Sequence, residues 1–177
     1  NQVGLLDALL AAHEDVRVDE NFAQLRDRIR SFQGVSVAGQ PAGFVGQLRD
    51  YQKAGLGWIH FLREYGFGGC LADDMGVGKT AQVLAALEER RLLGVGPSLV
   101  VAPRSLMFNW RQEANRFTPG LRVLEHFGLT RDLSALGGYD LVLTTYGTLV
   151  RDAAAMMNVE FDYLVLDEAQ AVKNSST

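Results

Sequence analysis

The residues with the clearest chemical potential form a glycine-containing stretch that ends in a lysine and a threonine. In order they are Asp73-Asp74-Met75-Gly76-Val77-Gly78-Lys79-Thr80. We predict a short apolar strand over 69–72, then a turn, then a helix that begins at Lys79. Such a turn directs backbone N–H groups and the positive end of the helix dipole at one point, where a phosphate binds. Lys79 would add a charge for the outer phosphates, and the Thr80 hydroxyl can coordinate Mg²⁺.

This stretch departs from the phosphate-loop pattern G-x-x-x-x-G-K-[ST] at one position, because Asp73 stands where its first glycine would be. Gly76 and Gly78 still leave room for a nucleotide to approach the backbone. Taken alone, the stretch also fits an ordinary glycine-rich turn before a helix. A second motif is therefore needed to choose between the two interpretations.

An apolar strand that ends in two acids, Asp167 and Glu168, is that second motif. Ligands of a parallel α/β sheet bind at the carboxyl ends of its strands, so Lys79 and Asp167 should lie at one edge. Asp167 could then hold the Mg²⁺ that Thr80 contacts, and Glu168 could orient or deprotonate an attacking water. A nucleotide kinase would not need the second acid. The alternative is a pair of surface acids, but both motifs in this order favour nucleotide hydrolysis.

Composition narrows the class of protein further. The chain has 177 residues, of which 47% are hydrophobic, as expected for a globular domain with a real core. It shows neither a continuous apolar run of about 18 residues, which a membrane helix needs, nor a recognisable signal peptide. The single cysteine, Cys70, suits a reducing cytoplasm, and we expect it to be buried in the first strand. The net charge of −4 argues against a bulk nucleic-acid binder.

The order of apolar segments predicts a helical N-terminal extension and linker over 1–46 and an α/β domain over 47–177. The extension would hold two helices, at 3–12 and 19–32. In the domain, helices alternate with strands, which favours a mainly parallel sheet with right-handed crossovers. The predicted strands after the phosphate loop are 98–102, 122–126, one that starts at 140 and ends in a hydroxyl-rich turn containing 144–146, and 163–166. The predicted helices are 48–65, 79–92, 105–118, 130–136 and 147–157.

Two details of the predicted helices bear on function. In the first, the residues expected to face inward are Leu48, Tyr51, Gly55, Trp58, Ile59 and Leu62. Gln52 falls outside this stripe, where its amide could pair with the edge of adenine or could simply be solvated. The charged end of the second helix, residues 88–91, is expected to be solvated.

Five blocks of the sequence, in order, resemble the Swi/Snf helicase-like ATPases of superfamily two. Asp-Glu-Ala-Gln at 167–170 followed by Lys173-Asn174 is more diagnostic than the phosphate loop, and Asp73 in place of glycine is usual in this family. The resemblance implies a three-layer RecA-like lobe that hydrolyses ATP against a second lobe, translocates along double-stranded DNA and remodels protein–DNA complexes. Asp50 and Asp74 depart conservatively from the usual Pro and Glu. The five blocks are 48–59, 71–80, 100–110 with Glu113, 141–149 and 164–177.

The resemblance also implies a role for individual residues. Gln52 would contact adenine, Thr80 and Asp167 would hold Mg²⁺, and Glu168 would be the catalytic base, with Lys79 and Asp167 as the other catalytic residues. Trp110 and Glu113 are family positions for which a purely structural role is the alternative. The remaining nucleotide contacts would be Asp74, Met75, Gly76, Val77, Gly78, Lys79 and Thr80, and the DNA contacts Arg104, Ser105, Thr144, Thr145 and Tyr146.

The chain ends ten residues after Asp167. We therefore expect it to be one lobe of a longer protein, lacking the arginines of a second lobe and so nearly inactive alone. Double-stranded DNA and DNA-bound proteins are the expected partners. The expected location is the bacterial cytoplasm, on the nucleoid. A regulatory or scaffolding module that binds nucleotide without useful turnover is the alternative, and a phosphate-loop kinase is a weaker one.

Overall fold

The structure, a computed structural model, describes residues 34–172 except Met75, Thr130, Leu133 and Ala135. The predicted helices at 3–12 and 19–32 lie outside the described residues, and the domain boundary near residue 47 stays a prediction. Short 3₁₀ turns occupy Arg104–Leu106, Leu136–Gly138 and Ala169–Ala171. The helices and strands are α1 (Asp50–Glu64), α2 (Lys79–Leu92), β1 (Ser98–Ala102), α3 (Met107–Phe117), β2 (Val123–His126), β3 (Leu141–Thr145), α4 (Tyr146–Arg151), α5 (Ala153–Met156) and β4 (Leu164–Leu166).

The four strands form one parallel sheet in the order β2-β3-β1-β4. Parallel neighbours need a crossover between them. Helix α3 lies in the connection from β1 to β2, α4 and α5 lie in that from β3 to β4, and residues 127–140 connect β2 to β3 with a 3₁₀ turn. All five residues of β1 are buried, as are the first four of β3, because a parallel sheet is covered on both faces. The α/β class with a parallel sheet, predicted from the alternation of apolar segments, is confirmed.

Side chains of β1 alternate between two apolar layers. Val100 and Ala102 face the layer that contains Leu84 of α2 and Trp110 of α3. Leu99 and Val101 face the opposite layer, which includes Met156 of α5. Helices therefore cover both faces, giving three layers, and the carboxyl ends of β1, β3 and β4 meet at one edge.

The apolar stretch before the phosphate loop is not a strand, so that prediction is wrong. Residues 67–74, all described, have no regular secondary structure, and Cys70 is exposed rather than buried. A strand is stable only when its backbone groups pair with a neighbour. The described sheet ends at β4, whose Leu164 and Leu166 are exposed, and residues 67–74 do not pair with it.

The inner face of α1 differs from the predicted one. Tyr51 is exposed, whereas Gln52 and Leu56 are buried. Leu56 packs with Ala81 and Ala85 of α2, so the contact with α2, rather than the longest apolar stripe, sets the orientation of the helix. Small side chains on both helices allow this close approach.

Several smaller predictions also fail. Glu88 is fully buried and accepts two hydrogen bonds from Arg91, at 2.6 and 2.9 Å, so the end of α2 is not a solvated one. The described residues of the predicted helix 130–136 are not helical until the 3₁₀ turn that begins at Leu136. The predicted helix 147–157 is two short helices, α4 and α5. Within the described residues, no helix combines the length and the apolar character needed to cross a membrane.

Candidate nucleotide-binding site

The loop before α2 has the backbone of a phosphate cradle. Gly76 and Gly78 have φ of 83° and 82°, a left-handed backbone conformation that residues other than glycine rarely adopt. Gly78 is the N-cap of α2, so the helix begins at Lys79 as predicted. Nothing lies within 4 Å of where a Cβ of Gly76 would be, which leaves open space beside the loop. Met75 lies outside the described residues.

The Lys79 ammonium lies over its own loop. Its Nζ atom donates to the backbone carbonyls of Asp73, at 2.6 Å, and Asp74, at 3.0 Å. Both are neutral acceptors, and a phosphate is a charged one that makes a stronger hydrogen bond with an ammonium. An incoming phosphate would therefore compete well for Lys79.

Two residues of α1 hold the loop from behind. The Tyr51 hydroxyl and the Gln52 Nε2 atom both donate to the carbonyl of Val77, at 2.8 and 3.1 Å. The Gln52 Oε1 atom accepts from the backbone N–H of Arg49, the N-cap of α1, at 2.9 Å, so it pairs one of the free N–H groups at the start of the helix. Gln52 is only 8% exposed, so the solvated alternative is excluded. Its predicted contact with adenine stays a prediction, since both ends of the amide are used within the chain.

Asp167 is held at three points, two on its carboxylate and one on its backbone carbonyl. Its Oδ2 atom accepts from the Trp110 indole N–H at 2.8 Å, and its Oδ1 atom accepts from the backbone N–H of Glu168 at 3.0 Å. Its carbonyl accepts from the Tyr146 hydroxyl at 2.7 Å. Burial, with the nearby charges of Asp167 and Glu168, raises the pKa of Tyr146, so this hydroxyl keeps its proton and donates.

Glu168 has a backbone conformation that is unusual for its type. Its φ is 52°, and it is the one non-glycine residue with positive φ in the part of the chain that the structure describes. Such a conformation costs about 1–3 kcal/mol, and strained residues of this kind cluster at functional sites. The Glu168 carboxylate accepts a hydrogen bond from the Gln170 amide. The acid that the sequence singled out as a base thus lies on a strained turn directly after β4.

Helix α3 lies between the two motifs. Trp110 donates to Asp167 at the end of β4 and belongs to the same apolar cluster as Leu84 of α2, the helix that begins at Lys79. Burial is the main cause that raises the pKa of Glu113, which is also on α3. That Lys79 and Asp167 share one site stays a prediction.

The donor set at this site fits Mg²⁺. The Thr80 hydroxyl and the Asp167 carboxylate are hard oxygen ligands, which this ion prefers. Among the described residues, no group of three or more His, Cys, Asp or Glu side chains could hold a metal ion by itself. Mg²⁺ commonly binds in this way, through one or two protein groups with phosphate oxygens and water completing its shell.

The predicted DNA contacts fall into two groups. Arg104 and Ser105 are exposed on the 3₁₀ turn after β1. Thr145 caps α4, its hydroxyl accepting from the backbone N–H of Thr148, and Tyr146 is bound to Asp167. The predicted DNA contact of Thr144 is wrong, because Thr144 is fully buried and its hydroxyl donates to the His126 carbonyl at 2.8 Å. It is the fourth residue of β3, whose buried stretch extends that far, so it cannot face DNA.

Sequence reasoning missed Gln82. This fully buried residue of α2 donates through Nε2 to the Asp73 carboxylate at 3.4 Å. A Cβ on Gly55 of α1 would lie 1.8 Å from the Gln82 Oε1 atom, so the two helices meet there at a glycine. A glutamine among the alanines and leucines of the buried face of α2 was the available signal.

The fold and the candidate site together define a class, that of parallel α/β domains with a candidate phosphate loop and a strand-end acid pair. Residues 51–177 match the SNF2-related domain. The chain belongs to this family and is part of a SNF2-family ATPase domain, so the family resemblance of the sequence is confirmed.

Relatives and solved structures agree with this assignment. YwqA of Bacillus subtilis, named a candidate ATP-dependent helicase/translocase, is 44% identical over 76% of this chain and 15% of its own length. The chromatin-remodeling ATPase INO80 of Homo sapiens is 39% identical over 78% of this chain and 10% of its own length. The Sulfolobus solfataricus SWI2/SNF2 ATPase core in complex with dsDNA is 40% identical, with a TM-score of 0.74, over 80% of this chain and 30% of that one. The chain thus spans a small part of each relative.

Proposed function

We propose that this chain is the ATP-binding lobe of an ATP-dependent translocase that moves on double-stranded DNA and remodels protein–DNA complexes. The observation that supports it best is the position of Trp110, which donates to Asp167 and packs in one apolar cluster with Leu84 of α2, the helix that follows the phosphate loop. The family of the chain supports ATP as the nucleotide. The names of the relatives support translocation and remodelling.

In this proposal each site residue has one task. Lys79 moves from the Asp73 and Asp74 carbonyls to the outer phosphates, and Thr80 and Asp167 would hold Mg²⁺, which neutralises phosphate charge. Glu168 takes a proton from the attacking water. Gln52 contacts adenine, which requires that its amide turn from Val77 or use its second N–H.

The DNA-facing surface is proposed to be the sheet edge beyond β1 and β3. Arg104 and Ser105 are exposed there, and an exposed arginine is a common phosphate contact. Thr145 and Tyr146 follow β3 at the same edge. The solved relative bound to dsDNA supports this partner. A DNA translocase of bacterial origin would work in the cytoplasm, on the nucleoid, so that location is part of the proposal.

Turnover is proposed to need a second lobe. The loop, Asp167 and Glu168 supply part of the charge stabilisation of phosphoryl transfer, and arginines of the second lobe would supply the rest. An arginine delivered to the transferred phosphate contributes about 10³–10⁵ in rate. The chain spans 30% of the solved ATPase core that it matches, which leaves room in that relative for such a lobe.

The test is ATP hydrolysis by this chain and by a longer protein that carries it with the second lobe. We expect the chain to be slower by about 10³-fold or more, with or without DNA, and the longer protein to be stimulated by double-stranded DNA. Glu168→Gln in the longer protein should abolish turnover and preserve ATP binding. Robust DNA-stimulated turnover by the chain alone would show that the second lobe is dispensable. A longer protein that binds ATP but hydrolyses none with any nucleic acid would favour the scaffolding alternative.

A further inference from the structure

Helix α3 contacts both elements that carry the proposed protein ligands of Mg²⁺. The indole N–H of its Trp110 donates to Asp167 at the end of β4. The same residue belongs to one apolar cluster with Leu84 and Leu87 of α2, the helix that carries Thr80. Thr80 and Asp167 are 87 residues apart in sequence, so α3 is the third element that lies beside both.

The contact with Trp110 constrains the orientation of the Asp167 carboxylate. One oxygen accepts from the indole N–H at 2.8 Å and the other from the Glu168 backbone at 3.0 Å. Each carboxylate oxygen can accept two hydrogen bonds, so one acceptor position per oxygen is left for a metal. The indole is 4% exposed, and little water can replace it as a donor.

We propose that Trp110 is a positioning residue of the Mg²⁺–nucleotide site, which holds the Asp167 carboxylate in the orientation that binds the metal. This inference rests on the proposed function, since it presumes that ATP binds here with Mg²⁺. Partners that orient a metal ligand from outside the coordination shell commonly contribute 10- to 100-fold to metal affinity. The indole N–H is therefore more than a satisfied polar group of the core.

A purely structural Trp110 makes a different prediction. Its ring packs with Leu84, Val100 and Leu143, and phenylalanine would keep much of that apolar contact. If packing were its whole role, Trp110→Phe would lower stability and weaken every form of nucleotide binding alike. If it orients Asp167, the loss should be confined to binding that depends on Mg²⁺.

The experiment titrates ATP into this chain and into Trp110→Phe by calorimetry, once with Mg²⁺ and once with EDTA. The matched control is Trp58→Phe, the same substitution at the other tryptophan, which lies on α1 beside Gly69. We expect Trp110→Phe to lose about tenfold or more in affinity with Mg²⁺ and to equal the wild type in EDTA. Trp58→Phe should equal the wild type in both.

Equal affinity of Trp110→Phe and the wild type with Mg²⁺, or an equal loss in Mg²⁺ and EDTA, would overturn the inference. A wild type that binds no ATP would instead refute the proposed function. A second measurement does not depend on whether Trp110→Phe folds. In the Trp58→Phe chain Trp110 is the sole tryptophan, and its fluorescence should change when Mg²⁺ is added to the ATP-bound protein and recover with EDTA. No change on adding Mg²⁺ would count against Trp110 as a neighbour of the metal ligand.

Discussion

Gly78 is a position in the phosphate loop where one added Cβ atom would disturb the site. Its φ of 82° excludes most side chains, and a Cβ there would lie 2.5 Å from the Gln52 Nε2 atom. That amide supports the loop through the Val77 carbonyl. A substitution at Gly78 would therefore disturb both the turn and its support.

Replacing Gly78 with alanine should lower the free energy of unfolding by about 1–3 kcal/mol and weaken ATP binding. The matched control is Gly94→Ala, because Gly94 also has positive φ, at 67°, but lies after α2 with open space around it. Both variants should be less stable in thermal unfolding, and only Gly78→Ala should bind ATP more weakly in calorimetry. Equal ATP binding by the two variants would show that the loop tolerates the change.

At the residue scale, the sequence identified the candidate site residues but not the contacts that surround them. Lys79, Thr80, Asp167 and Glu168 are recognisable because their types and their order are local patterns. The buried state of Thr144 was not foreseen, since the turn after β3 was taken to begin too early. The contact between Trp110 and Asp167 joins residues 57 positions apart, and no local pattern reports such a pair.

At the element scale, one carboxylate ties three segments together. Asp162, just before β4, accepts from Arg90 of α2 at 2.7 and 3.1 Å and from Arg63 of α1 at 2.8 Å. Its side chain is 6% exposed. Burial alone would raise the pKa of Asp162, but the hydrogen bonds and charges of Arg90 and Arg63 outweigh it, so the pKa is lowered. The ionised form is thus favoured by folding.

Replacing Asp162 with asparagine should lower the free energy of unfolding at pH 7 by about 2 kcal/mol, because two arginines lose a charged acceptor. A lowered folded-state pKa adds stability that is complete above the unfolded value, about 3.9, and is lost as pH falls through the folded value. Urea unfolding between pH 7 and pH 3 should show a smaller acid-dependent loss in Asp162→Asn than in the wild type. Asp50→Asn is the control, since Asp50 is fully exposed in its pair with Lys53. If Asp162→Asn lost as much unfolding free energy between pH 7 and pH 3 as the wild type, the account would be contradicted.

The helices and strands were predictable where one periodicity of apolar residues dominated the sequence. Helix α2 begins at Lys79 and ends at Leu92 as predicted, and β1 matches 98–102, because an apolar run and its glycine or proline boundaries are local signals. The stretch 69–72 is equally apolar but forms no strand, because pairing depends on a neighbour that its own sequence cannot specify. For the same reason the inner face of α1 was misjudged: contact with α2 decides it.

At the scale of the whole molecule, the site is an assembly of α2, α3 and the end of β4 around one edge of a parallel sheet. The family and the fold class could be predicted from the order of the motifs along the chain, from α1 to the turn after β4. The order of the motifs does not predict the contacts of the ligand-free phosphate loop. Lys79 donates to a backbone carbonyl of the loop, and Tyr51 and Gln52 of α1 donate to the Val77 carbonyl. Nucleotide binding must rearrange the first of these contacts.

The central claim, that this loop binds the phosphates of ATP, is tested most directly by calorimetric titration of Mg²⁺·ATP into the chain and into Lys79→Ala. Lys53→Ala is the control for removal of one positive charge, since Lys53 lies on α1 and pairs with the exposed Asp50. We expect weak but measurable binding by the wild type and by Lys53→Ala, and about tenfold or greater loss in Lys79→Ala, since a charged hydrogen bond contributes about 1.5–3 kcal/mol. Equal binding by Lys79→Ala and the wild type would contradict the account.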